Sequence, residues 1–199
     1  PKAANVPISG SDFGGIANFV RENKIDLTVV GPEVPLVNGI VDYYRDNGLI
    51  DEEHFIFGPT KSAAKLEGSK AFAKGVMKKY KIPTAEFETF ENPNEAYAYI
   101  KKHITPIVVK ASGLAAGKGS IACRTLEDAI DALDRIMIKK EFKDAGKEVV
   151  IEEFMEGEEA SILALTDGNA IRVLAASQDH KPAFEIETDR AIWLAAGGD

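Results

Sequence analysis

The sequence predicts a mixed α/β and α+β protein, on three observations. Residues 11–58 alternate helical apolar periodicity with two short β-branched or aromatic runs, at 26–30 and 55–57, the order that builds a parallel sheet. Residues 106–153 read as strand, glycine loop, strand, helix and strand, a small unit of its own. Residues 160–175 place two short runs around Asp167-Gly168, which predicts a hairpin.

Taken in order, Phe13, Ile16, Ala17, Phe19 and Val20 recur at helical spacing after a Ser/Asp start. The strand at 26–30 closes on Gly31-Pro32-Glu33. Ligands of open α/β sheets gather beyond the carboxyl ends of the strands, so Glu33 stands where a substrate amine or hydroxyl is held, against the competing reading of a solvated turn glutamate. Val37, Ile40, Val41 and Tyr44 predict a helix over 37–45, and the run at 55–57 ends on Gly58-Pro59. Two strands are too few for an independent sheet, so partner strands are expected upstream of Pro1.

Ser69 is an N-cap candidate for a helix whose Phe72, Val76, Met77 and Tyr80 share one face. Lys70 in its first turn opposes the helix dipole, and an anion bound there would remove the conflict. Pro83 ends that helix through its restriction of Ile82. Residues 94–101 predict a short helix with Ala96, Tyr97 and Ile100 inward. The motif Thr125-Leu126-Glu127-Asp128 resembles a capping box, opening a helix through Ile138 with Leu126, Ile130, Leu133 and Met137 on one face.

Residues 107–123, IVVKASGLAAGKGSIAC, form the stretch with the most chemistry. A strand ends on Lys110, and a loop with Gly113, Gly117 and Gly119 carries Lys118. Glycines let backbone N–H groups approach a single point and the lysines add charge, which suits a polyphosphate guest under a lid. A Walker A loop is excluded by spacing: three residues separate Gly113 from Gly117, and a strand follows where a helix belongs. Residues 148–154 predict a strand running into an acidic cluster at 152, 153, 156, 158 and 159. Strand alternation places Glu152 and Glu153 on opposite faces, so one of them is directed inward, towards a ligand in the functional reading. Gln178-Asp179-His180-Lys181 follows the last strand, where it would serve phosphate or substrate; His54 and His103 show no sequence partner.

Composition bounds these readings. A chain of 199 residues with 45% hydrophobic content buries a real core, in one domain or two small ones. A net charge of −8 and a pI near 5.0 argue against nucleic acid as a partner and favour a small anion. The single Cys123 excludes an intrachain disulfide and suits a reducing compartment. No apolar run approaches a membrane span and no signal pattern opens the chain, so a cytoplasmic location without membrane partners is expected. The chain starts without Met and is expected to be incomplete.

Taken together, GPEVPLVNGIVD at 31–42, FGPTKSAAKLEGSKAF at 57–72, PIVVKASGLAAGKG at 106–119, IEEFMEGEEAS at 151–161 and SQDHK at 177–181 resemble the phosphoribosylamine–glycine ligase (glycinamide ribonucleotide synthetase) family of the ATP-grasp superfamily. The resemblance implies an ATP-grasp fold behind an amino-terminal α/β (pre-ATP-grasp) domain. It divides the chain into 1–68, part of that domain; 69–181, an ATP-grasp region with a lid subdomain at about 106–153; and a tail at 182–199 belonging to a later part of the core. It implies that Lys70 and Lys110 hold the ATP phosphates and that the loop of Gly113, Gly117, Lys118 and Gly119 closes over them. Glu152 would meet the adenine amino group, Phe154 and Met155 would line the base, and Glu159 would bind the ribose. More loosely, it implies a catalytic Lys181 at the γ-phosphate and substrate contacts from Glu33, Asp179 and His180.

The implied activity is ATP-dependent joining of glycine to 5-phosphoribosylamine through glycyl phosphate, in de novo purine biosynthesis, with Mg2+ as cofactor. The pattern is compatible with fusion to other purine-pathway domains. The family's first strand, its loop after residue 181 and its magnesium ligands have no counterpart here, which leaves two further readings: an ATP-grasp fragment that binds nucleotide without turnover, and another carboxylate–amine ligase of the superfamily. Omitted residues are expected between about 182 and 189.

Overall fold

The computed structural model describes residues 3–178 apart from 52 and 104. The chain divides into two units, between Phe154 and Met155.

The first unit begins with α1, Phe13–Glu22, whose N-cap Asp12 accepts from Gly15 N at 2.8 Å. Strands β1, Leu27–Val29, and β2, Phe55–Phe57, pair in parallel as the alternating pattern predicts. The single helix expected over 37–45 is two: α2, Glu33–Asn38, and α3, Ile40–Asp46, separated by Gly39 at φ +93°. That left-handed residue breaks the axis at little cost because glycine has no Cβ. Glu33 is accordingly the first residue of a helix rather than a turn residue, and as an acid in a first turn it complements the dipole. Ala17, Ile40, Val41, Tyr44 and Leu49 form the core here. His54, which showed no sequence partner, places Nδ1 2.5 Å from Ile25 O and its ring beside Tyr44.

Helix α4, Lys61–Gly68, was not foreseen. KSAAKLEG carries one buried residue, Ala64, so it has no apolar stripe to read; Thr60 caps it. Helix α5, Lys70–Tyr80, follows directly from Ser69 and ends at Lys81, two residues before Pro83, in a left-handed cap.

A four-stranded antiparallel sheet carries the rest of this unit: β3, Phe87–Phe90; β4, Ile107–Ala111; β5, Ser120–Cys123; and β6, Val149–Glu153, in the order β3-β6-β4-β5. Three of these strands were expected. The fourth, β3, comes from outside 106–153, and its FETF is too short to show alternation above background. One face of the sheet, with Ile107, Val109, Val149 and Ile151, packs against α6, Pro93–Ile100, and α7, Leu126–Leu133. The capping box at Thr125 and Asp128 is present. Of the predicted apolar face, Leu133 and Met137 are buried and Ile130 packs against the core, whereas Leu126 lies exposed at the first helical position; Ala129 and Ala132 are buried as well. A π-helical turn, Asp134–Ile138, prolongs α7 and brings Asp134 to the Tyr97 hydroxyl, which donates to it. Burial, then that bond, pushes the phenol up to about 12.

Cys123 is fully buried, and burial pushes its thiol up to about 11 from an ordinary 9.0. The unfolded thiol therefore ionises first, so its contribution to stability is complete below pH 9 and is lost as pH rises towards 11. Ellman's reagent at pH 8 is expected to leave the native thiol unmodified and to titrate it fully in guanidinium; rapid native reaction would contradict the burial.

The second unit contains β7, Ala160–Ser161, paired antiparallel with β10, Ser177–Gln178, and the expected hairpin of β8, Ala164–Thr166, and β9, Ile171–Val173. Gly168 turns at φ +91°, and Asp167 accepts from Asn169 N and Ala170 N at 2.8 and 2.7 Å. Among the described residues, no helix is long and apolar enough to cross a membrane.

Candidate functional site

Alternation along β4 and β6 sorts their side chains. Ile107, Val109, Ala111, Val149 and Ile151 face the core, whereas Lys110, Val150 and Glu152 line a cleft of about 320 Å³ on the opposite face. Lys110 pairs in register with Val150, and Val108 with Glu152, which makes Lys110 and Glu152 diagonal neighbours within side-chain reach. Helix α5 covers the cleft with Lys70, Lys74 and Met77; Glu33 of α2 and Glu67 of α4 also line it, and the loop after β4 closes it with Ala116 and Gly117.

Glu152 is 5% exposed and sits between two ammonium groups. Lys110 Nζ pairs with Oε1, and Lys74 Nζ lies 2.5 Å from Oε2. The second approach lacks hydrogen-bond alignment, so Oε2 has no hydrogen-bond partner although the ion pair is close. Two cations compensate a carboxylate that would otherwise cost several kcal/mol to bury. Lys74 also donates to Thr84 Oγ1 at 2.8 Å and to Ala85 O at 3.4 Å, and lies over the Phe87 ring. Burial lowers the Lys74 pKa, partly offset by the nearby Glu153 carboxylate.

The α5 N-terminus is not the open anion seat that the sequence suggests. Lys70 N donates to Ser112 O at 2.7 Å, Ala71 N to Ser112 Oγ at 3.2 Å, and Phe72 N to Ser69 Oγ at 3.1 Å. The first two of those donors tie α5 to the residue after β4, and the third closes the helix's own cap. What Lys70 offers the cleft is its side chain, which reaches Gly113 O at 3.2 Å and whose pKa burial lowers, with Glu67 opposing.

The glycines also serve different ends than the uniform backbone approach suggested by the loop's composition. Gly117, at φ +75°, meets a conformational demand. Gly113 and Gly119 meet steric ones: a Cβ on the first would stand 2.7 Å from Ala145 Cα, and one on the second 2.6 Å from Ala115 Cβ. The loop is thus pinned at both ends.

Of the sequence-predicted residues, Glu33, Lys70, Lys110, Gly117 and Glu152 meet at this cleft; Gly113, Lys118 and Gly119 belong to its loop without lining it. Phe154 follows β6, partly exposed, and Met155 and Glu159 are exposed residues of the second unit. Asp179, His180 and Lys181 lie outside the described residues. Sequence reasoning missed Lys74 and Ser112. Lys74 had a signal: it stands one turn from Lys70, on the same helix face. Ser112 had none, because its role depends on two elements meeting.

Comparison with known proteins adds a second line of observation. The model of the phosphoribosylglycinamide synthetase ATP-grasp (A) domain matches residues 68–193, and that of the N domain of the same synthetase matches residues 1–67. A phosphoribosylamine–glycine ligase of Haemophilus influenzae is 49% identical over 187 residues, 94% of this chain and 42% of the relative's length. The crystal structure of the phosphoribosylamine–glycine ligase of Thermotoga maritima is 42% identical at a TM-score of 0.56, covering 61% of this chain and 31% of that one. The biotin carboxylase domain of Hydrogenobacter thermophilus 2-oxoglutarate carboxylase, solved with MgADP, ADP and bicarbonate, shares the fold at a TM-score of 0.66 and 21% identity, over 83% of this chain and 36% of that one.

Proposed function

The chain belongs to the phosphoribosylglycinamide synthetase family, and from that premise we propose that it carries the nucleotide-binding side of a ligase joining glycine to 5-phosphoribosylamine at the expense of ATP. Its fold is ATP-grasp with an amino-terminal α/β domain, and it spans about 42% of the length of the H. influenzae relative. The observation that carries the reading is the cleft under the glycine loop, where Lys70, Lys74, Lys110 and the buried Glu152 converge.

In this reading Lys70 and Lys110 take the polyphosphate, and the loop of Gly113, Gly117, Lys118 and Gly119 shields it from water. Glu152, whose two oxygens each keep lone pairs beyond their lysine contacts, would accept an amino hydrogen such as that of adenine. Phe154, Met155 and Glu159 would complete the base and ribose contacts, Glu33 would orient the amine substrate, and Asp179, His180 and Lys181 would serve phosphate and substrate. In the reaction, the glycine carboxylate displaces ADP from the γ-phosphorus, and the phosphoribosylamine nitrogen then displaces phosphate from the acyl carbon. The chain's contribution to both steps is positioning and charge neutralisation. Among the described residues, no group of three His, Cys, Asp or Glu side chains is placed to hold a metal ion.

The test is ADP release with MgATP, glycine and 5-phosphoribosylamine. Turnover that requires both co-substrates is the expected result. Nucleotide binding without turnover would leave a nucleotide-binding module, and the absence of binding would overturn the reading.

A further inference from the structure

The proposed function uses Lys110 and Glu152 but gives no part to Lys74. Its side chain is 13% exposed against 27% for Lys110. Its ammonium is fixed on three sides, by Glu152 Oε2, Thr84 Oγ1 and Ala85 O, with the Phe87 ring below. Lys110 lines the same cleft with its charge on the other oxygen of the same carboxylate. One carboxylate therefore holds two cations, the less exposed Lys74 and the more exposed Lys110.

Any anion that recruits Lys110 must take it from Glu152. Stranding a carboxylate that is 5% exposed would leave a buried charge uncompensated and would oppose binding. Resting on the nucleotide reading of this cleft, we propose that Lys74 is a positioning residue that acts as the resident counterion of Glu152, so that Lys110 can be handed from carboxylate to phosphate without leaving a buried charge unpaired. Glu152 then stays ionised and oriented in both states, with Oε2 still able to accept an amino hydrogen. The groups facing Glu152 are Lys74 from α5 and Lys110 from β4, with Lys70, Glu67 and Glu33 on the same cleft and Phe87 opposite it in register on β3. Among these cations, Lys74 is the one that the Thr84 and Ala85 oxygens hold in place.

The experiment is calorimetric titration of inorganic tripolyphosphate, which carries no amino group and so reports on the hand-over, with MgATP in parallel. Lys74→Met is expected to weaken tripolyphosphate at least about tenfold, ~1.4 kcal/mol at 25 °C. Lys74→Arg is expected to retain wild-type affinity, since it keeps the charge. The decisive arm is Glu152→Gln: removing the carboxylate removes the competitor for Lys110, so Glu152→Gln alone, and combined with Lys74→Met, is expected to bind tripolyphosphate at least as tightly as wild type. A structural lysine without this role would give a double variant no better than Lys74→Met, and that result would overturn the inference. Should Lys74→Met fail to fold, Glu152→Gln decides by itself, because weakened binding in that variant contradicts competition. Wild type that binds MgATP while Lys74→Met binds tripolyphosphate unchanged overturns the hand-over and leaves the nucleotide reading standing. Wild type that binds neither probe overturns both.

Discussion

Replacing Lys110 by alanine is expected to weaken MgATP binding by one to two orders of magnitude. A hydrogen bond to a charged group contributes about 1.5–3 kcal/mol, and each 1.4 kcal/mol is about a factor of ten in the dissociation constant. Calorimetric titration of both proteins measures this directly, and an affinity within about twofold of wild type would place the phosphates elsewhere. The same substitution has a second effect, because Glu152 loses one of its two cations. Lys74 still holds the other oxygen, so the loss of stability is expected to be smaller than that of removing both cations, and a thermal melt of the unliganded variant separates the two effects.

Leu133→Ala is expected to be the most damaging single change to stability. Leu133 is 0% exposed, on α7, among Val109, Ile136 and Ile151. Truncating a buried leucine costs about 2–5 kcal/mol in lost transfer energy and residual cavity. In a chain of this size each kcal/mol lowers the melting temperature by about 2–4 °C. The residue packs on the face of the sheet opposite Lys110 and Glu152, so MgATP affinity below the melting transition is expected to stay within about threefold of wild type. Scanning calorimetry, with titration at low temperature, tests both parts. A large affinity loss in a folded variant would mean that the two faces are coupled.

The β-branched runs in PIVVKAS and EVVIEEF were enough to read β4 and β6, and the two-residue period of a strand placed Glu152 and Glu153 on opposite faces. Such local rules also supplied the capping box, the Ser69 cap and the hairpin at Gly168. They could not supply the diagonal meeting of Lys110 with Glu152, which depends on register, nor the occupation of the α5 N-terminus by Ser112, which depends on two elements packing. A first-turn lysine at a capped helix reads as a phosphate seat until the donors are traced to their acceptors. Lys74 was missed because burial, rather than its place in the sequence, makes it significant: a lysine amid KKYK-type helix chemistry looks solvated until Glu152 is brought beside it. Strand β3 and helix α4 escaped because neither is long or apolar enough for its period to stand out.

The strand order β3-β6-β4-β5 also bears on how the chain acquires its shape. As the chain emerges from the ribosome, β4 and β5 can form a local hairpin early, whereas β3 has no neighbour in the sheet until β6, the last of the four to be made, inserts between it and β4. Completion of the sheet is therefore a long-range closure, intrinsically slow, with β4 holding an open edge in the interval. The strand that brings Glu152 to the cleft is the same one that completes this sheet, so the sheet and the Lys110–Glu152 pair of the cleft are completed in a single event.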